Sequence, residues 1–285
     1  MSNDLLFPQF LLNRGILDAA EVRRFLARTL ESEVDVPVQA LFHGVATAAD
    51  LTSLGALSGA AFRESAEKEG ILTSSQLYNL GEAIAGEGCL FAQALLDAGR
   101  LDYGEVESLF RDFMRAGEHP VAEVIERAAD GALAEELPLY TEYVGVAMLA
   151  FKRFMKMACV IVPQAAPFPS YVSRCIVSQA VTGGASLVAG IEAPDDVFLE
   201  LARRYSHEDF RYLDDFAIDS LAEFLNVLDG FFAVRLGERE LELDLETPRT
   251  ARALNEKASP SKLLRLHLES PVGAFALLLA ADEFL

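Results

Sequence analysis

The stretch "DSLAEFLNVLDG", residues 219–230, decides the reading of the chain. Taken as a helix, it places Asp219, Glu223, Asn226 and Gly230 at steps of four, three and four. At roughly 100° per residue these four lie within about 60° of one another. Ile218, Leu221, Phe224, Leu225 and Leu228 fall on the opposite side and supply a core face. A helix with a good core face thus lines up two acids, an amide and a glycine on its outer one.

Working outward, the C-terminal half reads as α+β. A long helix is expected over about 141–157. "SRCIVSQAV" and "ASLVAGIE" follow as β-rich runs joined by "TGG", a hairpin signal. "PDDVFLELARRY" (194–205) opens with Pro and Asp, as helices do. The quoted helix is expected over about 214–232. "RELELDLET" (239–247) and "KLLRLHLES" (262–270) alternate strictly and read as strands, as does "GAFALLLAAD" (273–282). Long antiparallel strands with helices on one face form a layered α+β architecture.

The N-terminal half repeats itself. "LFPQFLLNRGILDAAEV" (6–22) and "LFAQALLDAGRLDYGEV" (90–106) share ten of seventeen positions at a spacing of 84 residues. A partial copy, "EKEGILTSSQL", occupies 67–77. Each copy is an apolar helix, a Gly that ends it, a Leu, and an Asp or Thr that caps the next helix. An all-α repeat domain is therefore expected over residues 1–115. Residues 116–138, with acids, Gly and two prolines, read as a linker, and 139–285 as the second domain.

Composition narrows the partners. The 285 residues carry a formal net charge of −20, which disfavours nucleic acid and anionic membrane surfaces. The most apolar segment, 143–162, holds Lys152, Arg153 and Lys156, so a core helix running into a strand is expected there and not a membrane span. Cys89, Cys159 and Cys175 are far apart and read as reduced thiols; with no signal peptide pattern, a cytoplasmic protein is expected. His43, His119, His207 and His267 lack metal-site spacing, and "SHEDF" (206–210) reads as a helix cap. No phosphate loop or serine-hydrolase motif occurs.

Two resemblances follow from these residues. The N-terminal units resemble the helical N-terminal domain of type II secretion and pilus assembly ATPases. In some relatives that unit binds cyclic di-GMP through a leading Arg and a Gly two positions on. Here Leu6 and Leu90 stand in place of the Arg, and Pro8 and Ala92 in place of the Gly, which points to protein docking.

The C-terminal order of helix, hairpin, short helix, motif helix and three strands resembles the CheX and CheC chemotaxis phosphatases. Their motif is Asp or Ser, three residues, Glu, two residues, Asn, then a Gly and a later Pro. Asp219, Glu223, Asn226, Gly230 and Pro248 match it. The resemblance implies hydrolysis of the aspartyl phosphate of a CheY-like receiver domain. Asn226 would hold the attacking water, and Glu223 would pair with the receiver's Lys. Asp219 would extend the acidic contact, and Gly230 would allow close approach. Mg²⁺ would belong to the partner, with no cofactor or metal bound by this chain. The alternative is a non-catalytic adaptor that keeps the docking face.

Phe231 departs from the pattern and is expected either to alter docking or to join the core. Glu142 is followed by Gly145 where a second Asn would stand, so one site per chain is expected. A homodimer of 139–285 is expected, because the resemblance implies that such domains can pair and because the terminal strands are long and apolar and would leave an edge to cover.

Overall fold

The structure is a computed structural model. It describes residues 6–30, 33–55, 58–83, 85–116, 120–129, 133, 135–163, 168–169, 172–252 and 263–285. The chain divides into two compact units, Met1–Pro120 and Val121–Leu285.

The first unit is helical. Its elements are α1 (Phe7–Asn13), α2 (Ala19–Thr29), α3 (Val36–Phe42), α4 (Ala48–Ser53), α5 (Gly59–Lys68), α6 (Ser74–Glu82), α7 (Glu87–Asp97) and α8 (Tyr103–Ala116). They pair through one kind of joint. Gly15, Gly44, Gly70 and Gly99 each sit at a φ between 62° and 71°. That conformation ends the helix at no steric cost only for Gly. The next residue donates its amide six-to-one back to the helix: Ile16 to Leu11, Val45 to Ala40, Ile71 to Ala66 and Arg100 to Leu95. Asp18, Thr47, Thr73 and Asp102 then cap the following helices, and the side chains of Glu21, Asp50, Gln76 and Glu105 accept the amides of those cap residues in return. The joint at Gly44 is a fourth beyond the three read from sequence. Val45, Ala46 and Thr47 hide it there, although a Thr hydroxyl caps a helix much as an Asp carboxylate does.

The two full copies meet directly. Arg100 donates to the Ile16 carbonyl at 2.7 Å and to Glu21 at 2.8 Å, and this bond holds the Glu21 carboxyl below its ordinary range. Phe7 is fully buried and packs edge-on against Phe42, Phe110 and Phe113.

The second unit is α+β. It holds α9 (Pro120–Ala129, whose first residue closes the first unit), α10 (Leu137–Met155), β1 (Val160–Val162), β2 (Arg174–Gly183) and β3 (Leu187–Pro194). There follow α11 (Asp195–Ser206), α12 (Asp215–Gly237), β4 (Leu243–Leu245), β5 (Arg249–Ala251), β6 (Leu264–Ser270) and β7 (Gly273–Ala280). The sheet order is β1-β6-β7-β3-β2-β4, with β5 also on β2, and every pairing is antiparallel. α10 and α12 lie on one face. Phe151 of α10 joins Phe224 of α12 at 5.2 Å and Phe275 of β7 at 5.1 Å. The other face buries Ile176, Ala276, Leu278 and Ala280 around Phe284. Phe284 lies so close over β3 that only Gly190 fits beneath it; a Cβ there would meet the ring at 2.8 Å.

Three expectations change. The alternating run 239–247 forms a strand only over Leu243–Leu245. Residues 239–241 instead spend their amides on the end of α12, Arg239 and Leu241 both donating to the Leu236 carbonyl. The quoted helix runs on to Gly237, past the expected end at 232. The edge reasoning behind the homodimer changes with the strand order. β7 is an interior strand, β1 covers only His267–Glu269 of β6, and the short β4 and β5 lie along β2. Segment 143–162 is a helix and then a strand, and among the described residues no helix is long and apolar enough to cross a membrane. Cys89, Cys159 and Cys175 are all buried and unpaired with one another.

Candidate functional site

α12 begins where Asp214 accepts the Ala217 amide at 3.0 Å, with Asp215 in the first turn where the helix dipole favours an acid. Leu221, Phe224, Leu225, Leu228 and Phe232 are fully buried against the sheet and the neighbouring helices. At about 1.5–3 kcal/mol each, that burial fixes the rotation of the helix. The outer stripe follows from it. Asp219 and Glu223 are exposed, and Asn226 and Gly230 are half-buried. The four positions therefore share one face, as the spacing requires.

The two carboxylates make no hydrogen bond or ion pair with any described residue. Tyr205 of α11 lies beside this face, its hydroxyl pushed above its ordinary range by burial and then by the charge of Glu223. An added Cβ on Gly230 would meet nothing within 4 Å, so the helix surface is open there. Apolar side chains flank the stripe. Phe216 is 76% exposed, as is Tyr212, and Val234 is 67% exposed.

Asn226 is held from below. Its Oδ1 accepts a 2.8 Å bond from Nε2 of Gln179, a buried residue of β2. The same Nε2 donates to the Glu246 main-chain oxygen at 2.7 Å. No described residue accepts a bond from Asn226 Nδ2. The amide is thus neither buried nor turned onto its own backbone.

Phe231 does not join the core. It is 41% exposed, tilted against Phe154 at 5.7 Å with the Arg153 guanidinium 5.6 Å from its ring centre. Glu142 on α10 is occupied, paired with Arg235 at 2.9 Å and Arg239 at 2.7 Å. With Gly145 beside it, that helix offers no second amide–carboxylate pair.

Two residues escape the sequence reading. Gln179 sits in an apolar strand run and gives no local signal. Asp229 is inside the quoted stretch, yet it faces inward and is fully buried. Its helical angle, about 80° from Asp219 on the side of Leu225, is the signal that could have shown this. Burial pushes its carboxyl up to about 7, against a lowering bond from the Tyr143 hydroxyl at 2.6 Å.

His43, His207 and His267 stand apart, and His119 lies outside the described residues. His207 is the left-handed C-cap of α11, and Ser206 Oγ accepts the Glu208 amide at 3.1 Å, so "SHEDF" is a helix cap. Among the described residues no three His, Cys, Asp or Glu side chains are grouped to hold a metal.

No family model matches the chain, and no curated protein matches it. Solved chemotaxis proteins are similar to about half of it. The CheX protein of Desulfovibrio desulfuricans is 10% identical at a TM-score of 0.40, covering 50% of this chain and 97% of that one. CheX of Vibrio vulnificus is 13% identical at 0.41, covering 49% and 95%. A chain of the CheX–CheY–BeF3–Mg²⁺ complex from Borrelia burgdorferi is 14% identical at 0.38, covering 50% and 96%.

Proposed function

We propose that the outer stripe of α12 is a docking and catalytic face that hydrolyses the aspartyl phosphate of a CheY-like receiver domain. The observation that carries this reading is the Asn226 amide. It stands beside a Glu223 carboxylate that no described residue holds, with Nδ2 bonded to no described residue and one Oδ1 lone pair left over. An amide can donate to and accept from one water, and it does not titrate near neutral pH. That suits the positioning of water in line with phosphorus.

In the reaction, the water oxygen bonds to phosphorus and the bond to the receiver's aspartyl oxygen breaks. The aspartate leaves as carboxylate, and the water's protons go to phosphate and solvent. Mg²⁺, carried by the receiver, would neutralise charge on the phosphoryl oxygens, so this chain need supply only position and charge. Glu223 pairs with the receiver's active-site Lys, and Asp219 extends the acidic surface. The exposed Phe216 and Tyr212 favour a protein partner over a small molecule. Such a partner belongs in the cytoplasm. The helical unit, with its four like joints, serves on this reading as a repeat-built docking module.

The test is to phosphorylate CheY-type receivers from the same genome with acetyl phosphate and Mg²⁺, then follow loss of phosphate. The wild type speeds that loss. Asn226→Ala removes most of the acceleration and leaves receiver binding largely intact. Full activity in Asn226→Ala would overturn the mechanism. Tight binding by the wild type without hydrolysis would leave an adaptor.

A further inference from the structure

We infer that Gln179 is a positioning residue: it fixes which end of the Asn226 amide faces the partner. This rests on the catalytic reading of Asn226.

The hydrogen-bond logic has one solution. The Glu246 main-chain oxygen is an acceptor only, so the Gln179 atom 2.7 Å away must be the NH₂ end. An NH₂ group has two hydrogens. One goes to Glu246, and the other points at the Asn226 atom 2.8 Å away, which must therefore be Oδ1. Turning the Asn226 amide over would set two NH₂ groups against each other. Nδ2 is thereby directed away from the sheet.

The frame is rigid. Gln179 lies on the helix-facing side of β2 between Val177 and Val181, both fully buried, and is itself 1% exposed. Glu246 cannot drift, because its amide donates to the Ala180 carbonyl at 2.9 Å. Strand, connecting segment and helix are thus tied at one point. Burying a carboxamide there costs about 1–3 kcal/mol unless it is satisfied, and Gln179 Oε1 has no partner among the described residues. A strand in this core would be served as well by Leu or Met. What Gln179 adds over them is direction.

The position also explains an asymmetry in the stripe. Asp219 and Glu223 are exposed and held by no described residue, whereas Asn226 alone is anchored. Charges that find a partner's cation tolerate freedom. A group that must hold a water on a line does not, since a misplacement near 1 Å can cut a rate about a hundredfold.

The experiment compares wild type, Gln179→Met and Gln179→Glu with an acetyl-phosphate-labelled CheY-type receiver. It also follows the side-chain amide resonances of Asn226 in the protein alone. Met matches the length of Gln without a donor, so Asn226 is released. Turnover is expected to fall about tenfold with receiver KM within twofold, and the Asn226 amide signals should move or broaden. Ionised Glu offers only acceptors and draws Nδ2 inward, so a larger fall in turnover is expected, easing as the pH is lowered. The inference is overturned if Gln179→Met keeps full turnover, or if its turnover loss merely follows a lowered melting temperature. It is also overturned if the Asn226 amide signals do not change. If the wild type accelerates no receiver, the catalytic reading falls instead, while the amide signals still decide whether Gln179 orients Asn226.

Discussion

The Tyr143 hydroxyl donates to Asp229 Oδ1 at 2.6 Å and ties α10 to α12 one residue before Gly230. Both side chains are fully buried. The carboxyl is pushed from 3.8 to about 7 by burial, and the Tyr143 hydroxyl well above its ordinary range by burial first and then by Asp229. A raised carboxyl means that the folded chain holds a proton which the unfolded chain has released. Its contribution to stability is complete below about pH 4 and is lost as pH rises through about 7. About three pKa units correspond to at most about 4 kcal/mol. Asp229→Asn cannot ionise and escapes this loss. In thermal melts from pH 4 to 8, the stability of the wild type relative to Asp229→Asn should decline up to about pH 7 and then level off. A difference independent of pH would show that Asp229 does not titrate in this window.

Gly230 allows the fold and the proposed docking to be tested apart. It lies inside a 23-residue helix, where Gly is about 1 kcal/mol less favourable than Ala, and an added methyl would meet nothing. Gly230→Ala should therefore raise the melting temperature. If a receiver must approach the helix closely here, the same change should weaken receiver binding. A variant both more stable and fully competent in binding would remove Gly230 from the docking face.

How much of this was legible in the sequence depended on whether the signal was local. The stripe of Asp219, Glu223, Asn226 and Gly230 obeys one helical period, so its shared face could be computed without a structure. The hairpin of β2 and β3 was marked by "TGG". Gln179 was not legible, because its role depends on a helix 47 residues away and on one main-chain oxygen. Asp229 was passed over because an acid in an acidic stretch reads as solvated, and only tertiary packing buries it. The alternating run 239–247 misled because alternation reports a pleat only where a neighbour exists to pair with. Here the end of α12 took the amides first. The edge reasoning behind the homodimer had a related weakness: strand length and polarity were visible, but strand order in the sheet was not.

The helical unit should not bind cyclic di-GMP. Leu6 and Leu90 supply no cation for a phosphate, and Pro8 and Ala92, where the Gly would approach the ligand, are buried. Titration calorimetry with the dinucleotide should show no heat beyond dilution. Micromolar affinity would recast the protein as a nucleotide-gated regulator.

Glu223 and Asp219 should separate by distance from the Asn226 amide proposed to hold the water. Both are exposed on the outer face, and neither has a described partner to lose, so alanine at either position should leave the fold intact. Glu223 lies one turn from Asn226, and Asp219 lies two. An exposed ion pair contributes about 0–1 kcal/mol, but one that loses its water at an interface can be worth more. Glu223→Ala should therefore weaken receiver binding several-fold and lower turnover, and should flatten the dependence of binding on salt. Asp219→Ala should shift the salt dependence slightly and leave turnover near wild type, because on the proposed face its charge would steer the encounter without touching the reacting centre. Binding isotherms at two ionic strengths, paired with phosphate-loss rates at saturating receiver, resolve the two roles. Equal effects from the two alanines would mean that the acids act only as a diffuse negative surface, and Glu223 would then have no particular cation to meet.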